Sequence, residues 1–328
     1  MESSAGIAER SGTALRGGKR PLPRRDPHRP ERPAVAAPSA LEHVRDYIAL
    51  TKPRIISLLL WTTVMTMLVA RPSGLALSTV LWTCLGGYLA AGGAGAINHY
   101  IDRDIDARMG RTRGRPIVSG RIEPVHALVF GIALGVLATV QLALTVNGLA
   151  AALALAGLLG YTLMYTAWLK PRTPQNIVIG GAAGAIPPLV GWAAATGGLA
   201  LDAIYPFAII FLWTPPHFWA LALLISDDYE RTGVPMMPVV RGADYTRTRI
   251  LAYSLVLVSF TILPVVTGLF GAIYLAAAVI LGAAFVIGAA RLLRDHTRRS
   301  ALRLYLGSLA YLFLLFAAMA ADRVIAVW

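Results

Sequence analysis

Apolar residues run along this chain in long, nearly unbroken blocks separated by short polar loops. Nine blocks are of roughly 17 to 25 residues, the length needed to cross a hydrocarbon core as a helix. They cover 55–70, 75–101, 123–145, 147–169, 176–196, 201–225, 248–270, 271–290 and 301–325. The pattern predicts an all-α, polytopic membrane protein in which residues 41–328 form one nine-helix domain. The break between the seventh and eighth blocks rests on Gly268 and Gly271 alone. Ahead of the first block, LEHVRDYIALTKPR reads as a short interfacial helix. Residues 1–40 are rich in Arg, Pro, Gly, Ser and Ala without apolar periodicity, which predicts a disordered basic tail. Its acidic residues Glu9, Asp26 and Glu31, with its prolines, argue against a mitochondrial presequence, and no apolar stretch suited to a cleavable signal peptide precedes the first span.

Composition agrees. The 328 residues are 56% hydrophobic and 14% charged, whereas a soluble domain carries about 25% charged residues. The net charge of +13 is distributed unevenly. Of the 30 Lys and Arg, all but Arg71 and Arg323 fall in the tail and in the loops after the second, fourth, sixth and eighth blocks. By the positive-inside rule the amino terminus is cytoplasmic and the carboxyl terminus outside, in the plasma (inner) membrane. The basic excess therefore points to anionic membrane lipids as partners and not to nucleic acid. The single cysteine, Cys84, excludes a disulfide within the chain and reads as a small packing residue.

Against this background the stretch NHYIDRDIDARMGRTRGRP, Asn98 to Pro116, stands out. Asn98, Asp102 and Asp106 are four residues apart and form one column on a helix face, where the second span leaves the membrane. No flanking arginine shares the column. Its simplest counter-charge is a hard divalent cation with waters, bridged to an anion that Arg111 and Arg115 also touch. A second acidic group, Asp227, Asp228 and Glu230 in SDDYERTGVPMMPVVRG, leaves the sixth span on the same side, with Arg231 and Arg241 near it. Lys52 and Arg54 anchor the first span or hold a substrate phosphate, and Lys170, Arg172 and Asn176 make another polar corner after the fourth. Tyr161, Tyr165 and Trp168 recur at helical spacing, as an aromatic belt does; Tyr161 is also a candidate substrate contact. Proline pairs at Pro187–Pro188 and Pro215–Pro216 should kink or break the fifth and sixth spans. Irregular backbone at that depth implies a central cavity lined by those two helices. Trp213, His217, Phe218 and Trp219 surround the second pair. His217 is either a functional intramembrane group or a structural histidine bonded to a neighbouring helix.

Two carboxylate clusters rimmed by arginines above an apolar cavity suit a diphosphate with a lipid tail. Magnesium shared between carboxylates and phosphate oxygens would neutralise a departing diphosphate, and aromatic faces would stabilise an allylic cation shielded from water. The reaction class is prenyl transfer.

These segments carry a resemblance. The Asn98, Asp102, Asp106 spacing resembles the first aspartate-rich motif of the UbiA superfamily of intramembrane prenyltransferases. The longer segments NHYIDRDIDARMGRTRGRP, YTLMYTAWLKPRTPQNIVIGGAAGAIPPLVGW, WTPPHFWALAL and DDYERTGVPMMPVV resemble its haem-farnesylating branch. The resemblance implies a nine-helix bundle that transfers farnesyl from farnesyl diphosphate to a vinyl group of haem b, with water addition, to give haem O and diphosphate. It assigns Mg2+ to Asn98, Asp102 and Asp106 on one side and Asp227 and Asp228 on the other, with Asp102, Asp106 and Asp228 catalytic. Lys52, Arg54, Arg111, Arg115, Tyr161, Lys170, Asn176, Trp213, His217 and Arg241 become substrate contacts, His217 facing the haem. It also implies haem A synthase or terminal-oxidase assembly as protein partners. One departure concerns the second motif, which in the wider superfamily spaces two aspartates four apart: here Thr232 follows Asp228 by four and Arg231 follows Asp227. Two other readings remain at this stage. A quinone-pathway prenyltransferase shares the acidic clusters but lacks the TPPHFW segment. A transporter would explain intramembrane acid and broken helices without catalysis, though these acids sit at one surface.

Overall fold

In a computed structural model that describes residues 39–326, nine helices are long and apolar enough to cross a membrane, and no strand occurs among the described residues. They span Pro53–Ala70, Leu77–Ile101, Pro124–Thr145, Gly148–Leu169, Asn176–Thr196, Leu201–Leu224, Ala243–Val266, Ala272–Asp295 and Arg298–Ile325. The expected tail, residues 1–40, lies outside the described residues except for Ser39 and Ala40. The seventh and eighth spans do part where the two glycines stand: Gly268 adopts φ +79°, a left-handed turn, and Gly271 precedes the next helix. The seventh helix begins earlier than its apolar block and the eighth ends later than its own, because Arg247 at one end and Arg291 and Arg294 at the other ride on helix that projects beyond the apolar stretch. The buried Asp322 of the ninth span accepts the Gly271 and Tyr274 amides at 2.6 and 3.1 Å, capping the start of the eighth.

The interfacial helix is Ala40–Thr51, opened by a capping box between Ser39 and Glu42. Lys52, with φ 58°, turns the chain into the first span, and Asp46 accepts Arg121 at 2.8 Å, tying this helix to the loop after the second span. Glycines let the second and third spans touch backbone to backbone: a Cβ on Gly93 would lie 2.7 Å from the Gly131 carbonyl oxygen.

The proline pairs act differently. The fifth span breaks at Ala185, with Pro187 and Pro188 in the first turn of the helix that resumes. The sixth runs unbroken through Pro215 and Pro216, contrary to a break there. Tertiary packing on both sides holds it: Trp213 Nε1 donates to the Ser308 carbonyl at 2.9 Å, and Trp219 sits edge-on to Tyr253 at 5.3 Å.

Candidate active site

The acidic column survives the end of the second span. Helix geometry is interrupted at Asp102, yet the Asp102 amide still donates to the Asn98 carbonyl at 2.9 Å and the Asp106 amide to that of Asp102 at 2.8 Å. All three side chains therefore stay in register, and all three residues are buried. Four-residue hydrogen bonding preserves the face that the spacing predicts.

The column's neighbours differ from the expectation. The chain after Asp106 folds back, fastened by Thr112 Oγ1 donating to the Asp106 carbonyl at 2.8 Å, and Arg115 reaches Asp106 Oδ2 as an ion pair. Lys170 Nζ lies 2.6 Å from Asp102 Oδ2, and Lys52 Nζ 2.6 Å from Asn98 Oδ1. Protein cations, not only a metal, thus supply counter-charge, because loop return and a neighbouring helix bring in groups that share no helix face with the acids. Asn98 Nδ2 donates to Asp102 Oδ2 at 2.8 Å and to Thr166 Oγ1 at 3.2 Å. Thr166 reaches the column from a π-helical segment, Gly160–Leu169, and Lys170 from its C-cap, where the Lys170 amide bonds to the Tyr165 carbonyl five residues back. Such widened turns recur at functional sites.

Three cations, Lys52, Arg115 and Lys170, face two carboxylates, which leaves a net positive charge suited to an anion. Burial, with the Arg115 guanidinium beside it, pushes the Lys52 ammonium down to about 7. A bound phosphate would favour its protonated form.

The donor set fits a hard divalent ion. Asp102 and Asp106 both use Oδ2 for their protein partners, so each keeps Oδ1 as a hard oxygen donor. Among the described residues no cluster of three or more His, Cys, Asp or Glu could hold a metal alone, so water and substrate oxygens would complete the shell.

The second acidic segment meets the first through Asp228. Its Oδ1 accepts the Gly110 amide at 3.4 Å and pairs with Arg231. Asp227 does not join: it is exposed, and its carboxylate accepts the Ser226 hydroxyl at 3.3 Å. The helical turn Ser226–Thr232 presents successive residues on different faces, so only one of the adjacent aspartates can face the column. Glu230 is likewise exposed, whereas Tyr229 is buried, its phenol pushed up by burial against the opposing effect of nearby Arg111.

Beside the column opens an apolar cavity of about 260 Å3, with Lys52 and Tyr161 among its lining residues. The first, second, fourth and fifth spans enclose it, the fifth at its break around Ile186 and Pro187. No residue of the sixth span lines it, which corrects the expected pairing of the two proline-containing helices. Trp213 and His217 of the sixth span face the ninth span instead. His217 Nδ1 lies 2.6 Å from Ser308 Oγ, and its ring stacks on Trp213 at 4.1 Å and Tyr305 at 4.9 Å. That is the structural alternative for this histidine.

The remaining expected contacts are scattered. Arg54, Arg111 and Arg241 are exposed. Asn176 is fully buried and donates to the Thr173 carbonyl at 2.7 Å, but makes no hydrogen bond to the column. Trp168 is 57% exposed, as a belt residue is. Thr166 and the Gly110 amide are the site groups that sequence reasoning passed over. Thr166 stands four residues before Lys170, a same-face spacing that could have marked it.

Fold and site together define an intramembrane prenyltransferase architecture, and residues 59–318 match the model of the UbiA prenyltransferase family. The chain belongs to that family. It is 55% identical to a protoheme IX farnesyltransferase of Roseiflexus sp. over 86% of its own length and 53% of the relative's. It thus spans about half the length of the Roseiflexus protein. With the protoheme IX farnesyltransferase of Alkalilimnicola ehrlichii it shares 49% identity over 87% of this chain and 95% of that one. Among solved structures, that of a digeranylgeranylglyceryl phosphate synthase superposes with a TM-score of 0.72 at 18% identity, covering 87% of this chain and 99% of the other. A UbiA homologue from Archaeoglobus fulgidus, bound to GPP and Mg2+, gives 0.59 at 15% identity, covering 85% and 99%. At such identities the structures establish the shared fold.

Proposed function

We propose that this protein transfers the farnesyl group of farnesyl diphosphate to a vinyl group of haem b, with water addition, producing haem O and diphosphate. The observation that carries the chemistry is the continuity between a cation-rich carboxylate column and an apolar cavity, joined at Lys52. The high identity to relatives named protoheme IX farnesyltransferase supports haem as the acceptor.

In this reading Lys52, Arg115 and Lys170 hold the diphosphate, with Asn98 and Thr166 fixing their arrangement. Asp102, Asp106 and Asp228 would hold Mg2+, which when bound neutralises charge on the leaving group. Support for that ion comes from the free Oδ1 atoms and from the magnesium in the Archaeoglobus homologue. The C1–O bond of the donor breaks and its electron pair leaves with diphosphate. The vinyl π electrons form the new bond to C1, leaving a cation on the carbon next to the porphyrin ring. Water adds there and loses a proton. The apolar cavity keeps water from the allylic cation until the acceptor has reacted. In this reading the end of the bundle that carries the basic loops lies on the cytoplasmic side of the plasma membrane, as the positive-inside rule favours.

The test is haem analysis of membranes from cells that lack haem O, with and without this chain. A more hydrophobic haem with the mass of hydroxyethylfarnesyl haem is expected. A folded, membrane-inserted protein that leaves only haem b would refute the reading.

A further inference from the structure

The cavity beside the column has a measurable depth. Along the first span its lining runs from Lys52 to Thr63, and along the second from Gly95 to Gly87. At 1.5 Å per helical residue these stretches cover about 16 and 12 Å. An extended prenyl main chain advances roughly 1.2 Å per bond, as an extended backbone does. The eleven bonds of farnesyl then cover about 13 Å, the seven of geranyl about 8 Å and the fifteen of geranylgeranyl about 18 Å.

The inner end is shut by backbone. A Cβ on Gly191 would lie 2.3 Å from the Thr63 carbonyl oxygen, so the first and fifth spans touch there without side chains between them. Thr63 Oγ1 also donates to the Pro187 carbonyl at 3.3 Å, holding the two helices together at that level. Val190, 5% exposed, lies against this contact and packs with Met67 in a closed cluster beyond it. On the second span, a side chain at Gly87 would press on Leu60, another lining residue: its Cβ would meet Leu60 Cδ2 at 3.0 Å.

We infer that the donor's tail enters this cavity from Lys52 and that the floor formed by Thr63, Gly87 and Val190 selects a tail of three isoprene units. This rests on the prenyl-transfer reading above and adds the residues that measure the donor. Geranyl leaves the floor unfilled, and the fourth isoprene unit of geranylgeranyl meets the Val190 side chain, which the Thr63–Gly191 backbone contact beside it keeps from moving aside.

The experiment uses the purified full-length protein with geranyl, farnesyl and geranylgeranyl diphosphates in magnesium buffer. Apparent affinity is read from the shift in thermal midpoint, and donor use from the masses of haem products in an equimolar mixture of the three. Val190→Ala deepens the floor and should raise the affinity for geranylgeranyl relative to farnesyl diphosphate about tenfold, the scale of small changes in an apolar pocket. Gly87→Leu should weaken farnesyl about tenfold while geranyl is retained. Should that variant fail to melt cooperatively, Gly87→Ala carries the same test with a smaller shift, since only the Leu60 side chain must move. Wild-type ratios in both folded variants would overturn the inference. Length-dependent binding without any modified haem would instead refute the haem acceptor and leave the floor intact. Haem farnesylation with unchanged ratios would do the reverse.

Discussion

Lys170 and Asp102 form a buried ion pair, Nζ to Oδ2 2.6 Å, across 68 residues of sequence. Removing one partner leaves the other charge buried without its ion-pair partner. Lys170→Met or Asp102→Asn should each lower stability by about 3 kcal/mol, whereas the double variant should lose clearly less than the sum. Thermal or denaturant unfolding in detergent reads this directly. Strictly additive losses would mean that the two charges do not depend on each other.

Thr166 is a positioning residue for Asn98. Its hydroxyl accepts Asn98 Nδ2 and so turns Oδ1 toward Lys52. Thr166→Val should raise the KM for farnesyl diphosphate by roughly tenfold, the lower end of effects from groups that orient a ligand shell. Thr166→Ser should restore it, which loss of packing alone would not predict. Steady-state kinetics on the three proteins decides the matter.

The adjacent aspartates should behave unequally. Asp227→Asn, at an exposed side chain, is expected to retain activity within about twofold, as surface changes usually do. Asp228→Asn alters the contact to the Gly110 amide in the loop that follows the column, and should cut turnover by about 100-fold or more. Equal losses would require a rearrangement that brings Asp227 inward.

For His217 the expected loss is in packing. With Nδ1 on Ser308 and the ring between Trp213 and Tyr305, a double-mutant cycle of His217→Ala and Ser308→Ala should give a coupling of about 1 kcal/mol. The Soret band of added haem should stay unchanged. An altered Soret band with zero coupling would return this histidine to the acceptor site.

Local pattern revealed much of this molecule. The nine spans follow from apolar blocks and basic loops, the turn at Gly268 from glycine alone, and the column from four-residue spacing, because each depends on chain neighbours. Partners were less legible. Lys170 reaching Asp102 and Arg115 returning to Asp106 depend on how helices and a loop pack, which no local periodicity encodes. The proline pairs illustrate the same limit: identical dipeptides stand at a break in one span and inside a continuous helix in another. The π-helical turn that brings Thr166 and Lys170 to the column left no mark in the residue pattern.

The central claim is that the column clamps a diphosphate so that haem can take its prenyl group. The most direct measurement gives purified protein haem b, farnesyl diphosphate and magnesium, and follows the haem product by mass spectrometry beside the Asp106→Asn variant. Wild-type protein should form hydroxyethylfarnesyl haem with release of diphosphate, and the variant should bind haem normally while forming at least about 100-fold less product. Near-wild-type turnover by a folded Asp106→Asn protein, or no product from wild type, would contradict the account.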